Sequence, residues 1–166
     1  THSMAALAAL QEAGVSFKAA AGFSLGEYTA LAAAGVVSLT DGVRIVSMRG
    51  KLMQQAADSI DGGMAAILGL DDAAIEQACA QVTVNYNCPG QLVIAGERKA
   101  LDEAVENCKA AGARRALPLA VSGAFHTPLM AKAAAELRAY VSDFTFSAPR
   151  MDIYSNLDGN VLDCAD

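Results

Sequence analysis

Asp61-Gly62-Gly63-Met64-Ala65-Ala66-Ile67-Leu68-Gly69-Leu70-Asp71-Asp72 opens the segment whose reading decides the fold. The apolar run from Met64 to Leu70 has the length of a buried strand, and Asp71-Asp72 is suited to cap a helix reaching about Ala80. Val82 to Tyr86 predicts a second strand, Asn87-Cys88-Pro89-Gly90 a turn, and Gln91 to Ala95 the hairpin partner. Lys99 to Ala111 predicts a helix that Gly112 stops, and Arg115 to Val121 a fourth strand. The order β-α-β-β-α-β is that of a split βαβ, or ferredoxin-like, unit. It is expected to span residues 62–121.

Towards the N-terminus, residues 3–13 read as a helix stopped by Gly14, and Val15 to Ala21 as a short buried strand before Gly22. Leu25 to Ala34 is rich in helix formers with Gly35 as its C-cap; Thr40 or Asp41 then caps a helix to about Ala57, with Val43, Val46, Gly50 and Met53 on one face. Towards the C-terminus, Pro128 starts a helix through Tyr140, Met151 to Ser155 is strand-like, and Asp158-Gly159-Asn160 is a turn. Residues 1–61 and 122–166 therefore read as α/β material on either side of an inserted subdomain.

Composition narrows the function. The chain has 166 residues, 54% of them hydrophobic, enough for a real core. No apolar stretch reaches the roughly 20 residues of a spanning helix, so membrane insertion is not expected. The net charge is −6 with 12 basic residues scattered along the chain, a poor match to a phosphate backbone. Cys79, Cys88, Cys108 and Cys164 show neither C-x-x-C spacing nor a histidine cluster, so no metal site is expected, and free thiols suit a reducing cytoplasm. The chain opens on Thr1 and reads as the interior of a longer sequence.

Gly22-Phe23-Ser24-Leu25-Gly26 fits G-x-S-x-G, of which chance predicts roughly 0.07 matches in a chain of this make-up. A strand is expected before it and a helix after it, the context of a nucleophile elbow: small residues flank the serine because the turn is tight, and the hydroxyl stands at a helix N-terminus. The same turn aims the Leu25 backbone N–H at a developing oxyanion. A serine hydroxyl needs a base, and the chain has two histidines. His2 falls in the N-terminal helix, whereas His126 lies in the loop Val121-Ser122-Gly123-Ala124-Phe125-His126-Thr127-Pro128, which makes it the candidate partner of Ser24.

Several strings now converge. Gly22-Phe23-Ser24-Leu25-Gly26-Glu27-Tyr28, Ser47-Met48-Arg49-Gly50, Asn87-Cys88-Pro89-Gly90-Gln91 with Val93-Ile94-Ala95-Gly96, and Ala124-Phe125-His126 stand in the order and spacing of the malonyl-CoA:acyl carrier protein transacylases, the acyltransferase family of fatty acid and polyketide synthesis. The chain resembles the central part of that family over nearly its whole length. The resemblance implies an α/β-hydrolase-like core, incomplete in this chain, around the ferredoxin-like subdomain. It implies malonyl transfer from malonyl-CoA to the phosphopantetheine thiol of acyl carrier protein through malonyl-Ser24, for fatty acid biosynthesis, with His126 as general base. Arg49 would bind the malonyl carboxylate, Phe125 would select against a methyl branch, and Asn87 would belong to the substrate site. It implies a cytoplasmic monomer without bound cofactor, meeting acyl carrier protein transiently, with Arg114 and Arg115 as candidates for docking that acidic partner.

Two departures stand out: Phe23 replaces the histidine common before the nucleophile, and the family's Gly-Gln-Gly segment and its C-terminal glutamine and Gly-Pro-Gly turn are not in this chain. Three other readings share these features. A serine esterase or thioesterase would pass the acyl group to water, a polyketide synthase acyltransferase domain would share the chemistry in another context, and a docking module would carry a vestigial elbow.

Overall fold

In the computed structural model, which describes residues 2–162, the elements in chain order are α1 (His2–Glu12), β1 (Ala19–Ala21), α2 (Leu25–Ala33), α3 (Leu39–Ser59), β2 (Gly62–Leu68), α4 (Asp72–Ala78), β3 (Thr83–Cys88), β4 (Gln91–Glu97), α5 (Arg98–Ala110), β5 (Arg115–Pro118), α6 (Ala131–Val141) and β6 (Asp152–Tyr154). This is a mixed α/β fold with open sheets. The chain divides into two compact units: Thr1–Arg49 with Arg138–Asp166, and Gly50–Leu137.

The second unit holds a four-stranded sheet in the order β3-β4-β2-β5, with every neighbouring pair antiparallel. Its central strands are buried on both faces, which explains their unbroken apolar sequence. Ala65 and Ile67 of β2 and Leu92 and Ile94 of β4 face a core completed by Ile75 of α4 and Leu101, Ala104 and Val105 of α5. The alternate residues Met64, Ala66, Val93 and Ala95 form a cluster on the opposite face, against which Phe125 packs.

The expected element order is observed, with shifted edges. β2 starts two residues early because Gly62 and Gly63 continue the ladder, opposite Glu97 and Gly96. Both are crowded: a Cβ on Gly63 would lie 2.6 Å from Arg98 Nη1 and push the end of that side chain aside, and one on Gly62 would lie 3.0 Å from Ala124, a tight contact. Asp71 caps α4 as expected, its carboxylate accepting the Ala74 N–H at 3.0 Å. The predicted four-residue turn is shorter. β3 runs on to Cys88, paired with Gln91, and Asn87 falls at a register shift between Tyr86 and Cys88, leaving Pro89-Gly90 to turn with Gly90 at φ 78°. β5 ends at Pro118, short of Val121, because the chain turns away there through a Val121 N–H to Leu119 C=O bond.

In the first unit β1 and β6 pair in parallel, Ala20 opposite Ile153. Ile153 packs with Ala30 of α2, with Ala34 at the end of that helix and with Val36. β1 holds only the last three residues of the expected Val15–Ala21 strand, a length matched by β6. The cap of α3 is Ser38 rather than Thr40 or Asp41: Ser38 Oγ accepts the Asp41 N–H at 3.0 Å and donates to Asp41 Oδ2 at 2.7 Å. The buried positions of α3 are Gly42, Ile45, Leu52 and Ala57, while Val43 and Gly50 of the expected face are exposed. The helix expected from Pro128 opens with a 3-10 turn over Pro128–Met130.

Among the described residues no helix is long and apolar enough to cross a membrane. Cys79 and Cys108 are buried with sulfurs 3.7 Å apart, Cys88 is exposed, and Cys164 lies outside the described residues. Burial pushes the Cys79 thiol up to about 12 and raises that of Cys108. Since the thiolate is the nucleophile, native protein treated with iodoacetamide near pH 8 is expected to be alkylated at Cys88 and spared at Cys79 and Cys108, as peptide mapping would show.

Candidate active site

Gly22 makes the elbow possible. A Cβ on this residue would fall within the van der Waals radii of Gly26 C and O and of Glu27 N, so only glycine lets the end of β1 pass this close to the start of α2. Gly26, the other glycine of the motif, is not crowded. Its Cβ would meet nothing within 4 Å, and the residue borders a cavity of about 390 Å³ whose lining includes Phe17, Thr29 and Met151 but not Ser24. The tightness expected on both sides of the serine is thus confined to Gly22.

Between them Ser24 stands at the N-cap of α2 with φ 49° and ψ −104°, and its side chain does not cap the helix. Its hydroxyl oxygen instead accepts a 2.9 Å hydrogen bond from Arg49 Nη2. Leu25 opens the helix, where an N–H has no carbonyl one turn back within the helix. Arg49, half-buried in α3, also lies over the Tyr28 ring at 5.7 Å from its centroid. Burial, supplemented by the Glu27 charge, raises the Tyr28 phenol above its ordinary value, and Arg49 opposes the rise. Ser24, Leu25 and Arg49 are therefore brought together.

The other candidates lie in the second unit. His126 is exposed, at φ 59°. The loop around it is fixed from three sides. Phe125 sits on the β2/β4 cluster. Gly123 leaves no room for a Cβ, which would come within 2.7 Å of Ala57 Cβ. The buried Thr127 hydroxyl donates to Ala124 C=O at 2.7 Å and accepts the Leu129 N–H at 3.2 Å. Asn87 is exposed on β3, and Arg114 and Arg115 are exposed at the start of β5. Among the described residues, no group of three or more His, Cys, Asp and Glu could hold a metal ion.

Ser24 and His126 are the only described residues other than glycine with positive φ. Such backbone costs a residue with a side chain about 1–2 kcal/mol and persists where surrounding contacts enforce it. The pair selected by chemistry in the sequence is thus also the pair singled out by backbone strain.

Around the elbow, Glu27 and Tyr28 stand in the motif string quoted above but carry no expected role, and Asn156 is not marked by the sequence at all. Asn156 follows β6, and its Oδ1 accepts the Ser24 N–H at 2.6 Å, while its own N–H donates to Glu27 Oε1 at 2.9 Å. For Glu27 a signal was present, since Ser24-Leu25-Gly26-Glu27 is the S-x-x-E pattern of a capping box.

The acyl transferase domain model matches residues 2–161. The malonyl CoA-acyl carrier protein transacylase of Salmonella typhimurium is 51% identical over 145 residues, covering 83% of this chain and 47% of that protein. A malonyl-transacylase solved in complex with a type II polyketide synthase acyl-carrier protein is 43% identical with a TM-score of 0.92, covering 96% of this chain and 54% of that one. An acyl carrier protein S-malonyltransferase from Vibrio cholerae is 43% identical with a TM-score of 0.89, covering 95% and 54%. The chain spans about half the length of these relatives.

Proposed function

This chain belongs to the acyl transferase domain family, and on that premise we propose that the whole protein moves the malonyl group of malonyl-CoA to the phosphopantetheine thiol of an acyl carrier protein for fatty acid biosynthesis. Ser24 Oγ attacks the thioester carbonyl as its proton passes to His126, and the tetrahedral oxyanion is held by the Leu25 N–H. The carbon–sulfur bond breaks, and CoA leaves with the proton from His126. The carrier thiol then gives its proton to His126 and attacks malonyl-Ser24, and the serine oxygen recovers the proton as it departs. Arg49 grips the free carboxylate through paired N–H donors, Phe125 excludes a methyl branch, and Asn87 borders the substrate.

The observation that carries this reading is the positive φ at both Ser24 and His126. The Arg49–Ser24 hydrogen bond supports it, because it puts a guanidinium at the residue to be acylated. The fold reading extends in the same way. The strand order β3-β4-β2-β5 supports a ferredoxin-like subdomain over 62–121, and the parallel β1–β6 pair supports an α/β-hydrolase-like core drawn from 1–61 and 122–166. The transfer uses no resident cofactor or metal. The protein works as a cytoplasmic monomer and meets its acidic carrier through basic residues, Arg114 and Arg115 among the candidates. The likeness to a transacylase bound to a polyketide synthase carrier favours, as a second reading, the same chemistry in polyketide synthesis.

Intact-mass and peptide analysis of the full-length protein after exposure to malonyl-CoA tests the proposal. A malonyl adduct is expected on Ser24, discharged faster by holo-acyl carrier protein than by water. An adduct elsewhere, or release to water at the faster rate, would refute it. Arg49→Ala is expected to load malonyl about 10- to 100-fold more slowly, the loss of a charge-assisted pair, and to gain acetyl loading relative to malonyl.

A further inference from the structure

In an ordinary capping box the N-cap serine hydroxyl accepts the N–H three residues on, and the glutamate at that position reaches back to the serine N–H. Ser24 and Glu27 have the right identities and spacing, yet neither side-chain bond of the box is made. The Ser24 hydroxyl does not cap α2 and accepts from Arg49. Asn156 Oδ1 takes the Ser24 N–H at 2.6 Å, and Glu27 Oε1 takes the Asn156 N–H at 2.9 Å. The box is held open by a residue inserted between its halves.

We propose that Asn156 is a positioning residue for the nucleophile, holding the Ser24 backbone at positive φ and preventing the serine hydroxyl from being consumed as a helix cap. The inference deepens the acyl-serine reading given above and rests on it. Closing the box would require Glu27 to take back the Ser24 N–H that Asn156 now occupies, and would turn Ser24 Oγ from Arg49 towards the Glu27 N–H. With the Ser24 N–H engaged, the Leu25 N–H is the elbow's remaining donor for an oxyanion. The Asn156 amide orientation is fixed by the bond itself, since an N–H can donate only to the oxygen. Glu27 fixes Asn156 in turn, and the β1–β6 pairing brings the loop after β6 to the elbow.

The test compares Asn156→Ala and Asn156→Asp with the full-length wild type in two reactions at Ser24: acylation by malonyl-CoA, and labelling by a fluorophosphonate, which needs the serine but no carboxylate clamp. Asn156→Ala is expected to slow both by about 100-fold at saturation, the effect of a small displacement of the attacking atom, with KM for malonyl-CoA within about twofold. Asn156→Asp keeps the acceptor for the Ser24 N–H and is expected to recover most of the loss. Asn156→Ala reacting within twofold of wild type, or Asn156→Asp as slow as Asn156→Ala, would overturn the role given to Asn156. If wild-type Ser24 takes neither group, it is the acyl-serine reading that fails.

Discussion

Gly22→Ala is expected to destroy the elbow, lowering stability by about 4 kcal/mol or more, a size reached when overpacking cannot be relieved by a rotamer change. The atoms a methyl group would meet are backbone: Gly26 C and O and Glu27 N. Moving them means separating the end of β1 from the first turn of α2, the geometry that presents Ser24. Gly26→Ala is the informative counterpart. Its Cβ has open space, and alanine is the better helix former by about 1 kcal/mol, so this variant is expected to be neutral or slightly stabilising. Chemical denaturation of both variants checks the asymmetry, and equal losses would show that the crowding is not confined to Gly22.

His126→Gly is expected to lower the rate of Ser24 acylation on the order of 1,000-fold, within the range contributed by a positioned general base. Stability should move the other way. Histidine at φ 59° carries backbone strain that glycine does not, on the order of 1 kcal/mol, partly offset by the freedom glycine adds to the unfolded chain. His126→Ala should lose the same activity without the gain in stability, because alanine keeps the strain. Rapid-quench mass analysis and thermal melts separate the effects. An active His126→Gly would remove this residue from the mechanism.

The elbow and the β-α-β-β-α-β order were legible because their signals are local: paired glycines around a serine, Asp71 as a cap, Gly90 and Gly112 as stops. Ser24, Leu25 and Arg49, chosen from motif and resemblance, stand together in the first unit. What escaped depends on partners distant in sequence. β1 keeps only Ala19–Ala21 because its length is matched to β6, which nothing in Val15–Lys18 reveals. Asn87 sits at a strand irregularity rather than in a turn because pairing with Gln91 draws Cys88 into β3. The buried positions of α3 were misjudged because Val43 and Val46 are as apolar as Ile45 and Leu52. Asn156 was invisible because its bond partner lies 132 residues away.

That separation also sets an order of events during synthesis. The four-stranded sheet is closed by residues no later than Pro118, whereas the Ser24 N–H finds its acceptor only when Asn156 has been made. At about 10 residues per second the ribosome adds those 132 residues in roughly 13 seconds. Throughout that interval Ser24 lacks both the strand that seats β1 and the amide that takes its N–H. The elbow is consequently a high-contact-order feature completed after the sheet, so a nascent chain that stalls before residue 156 carries the serine without its supporting frame.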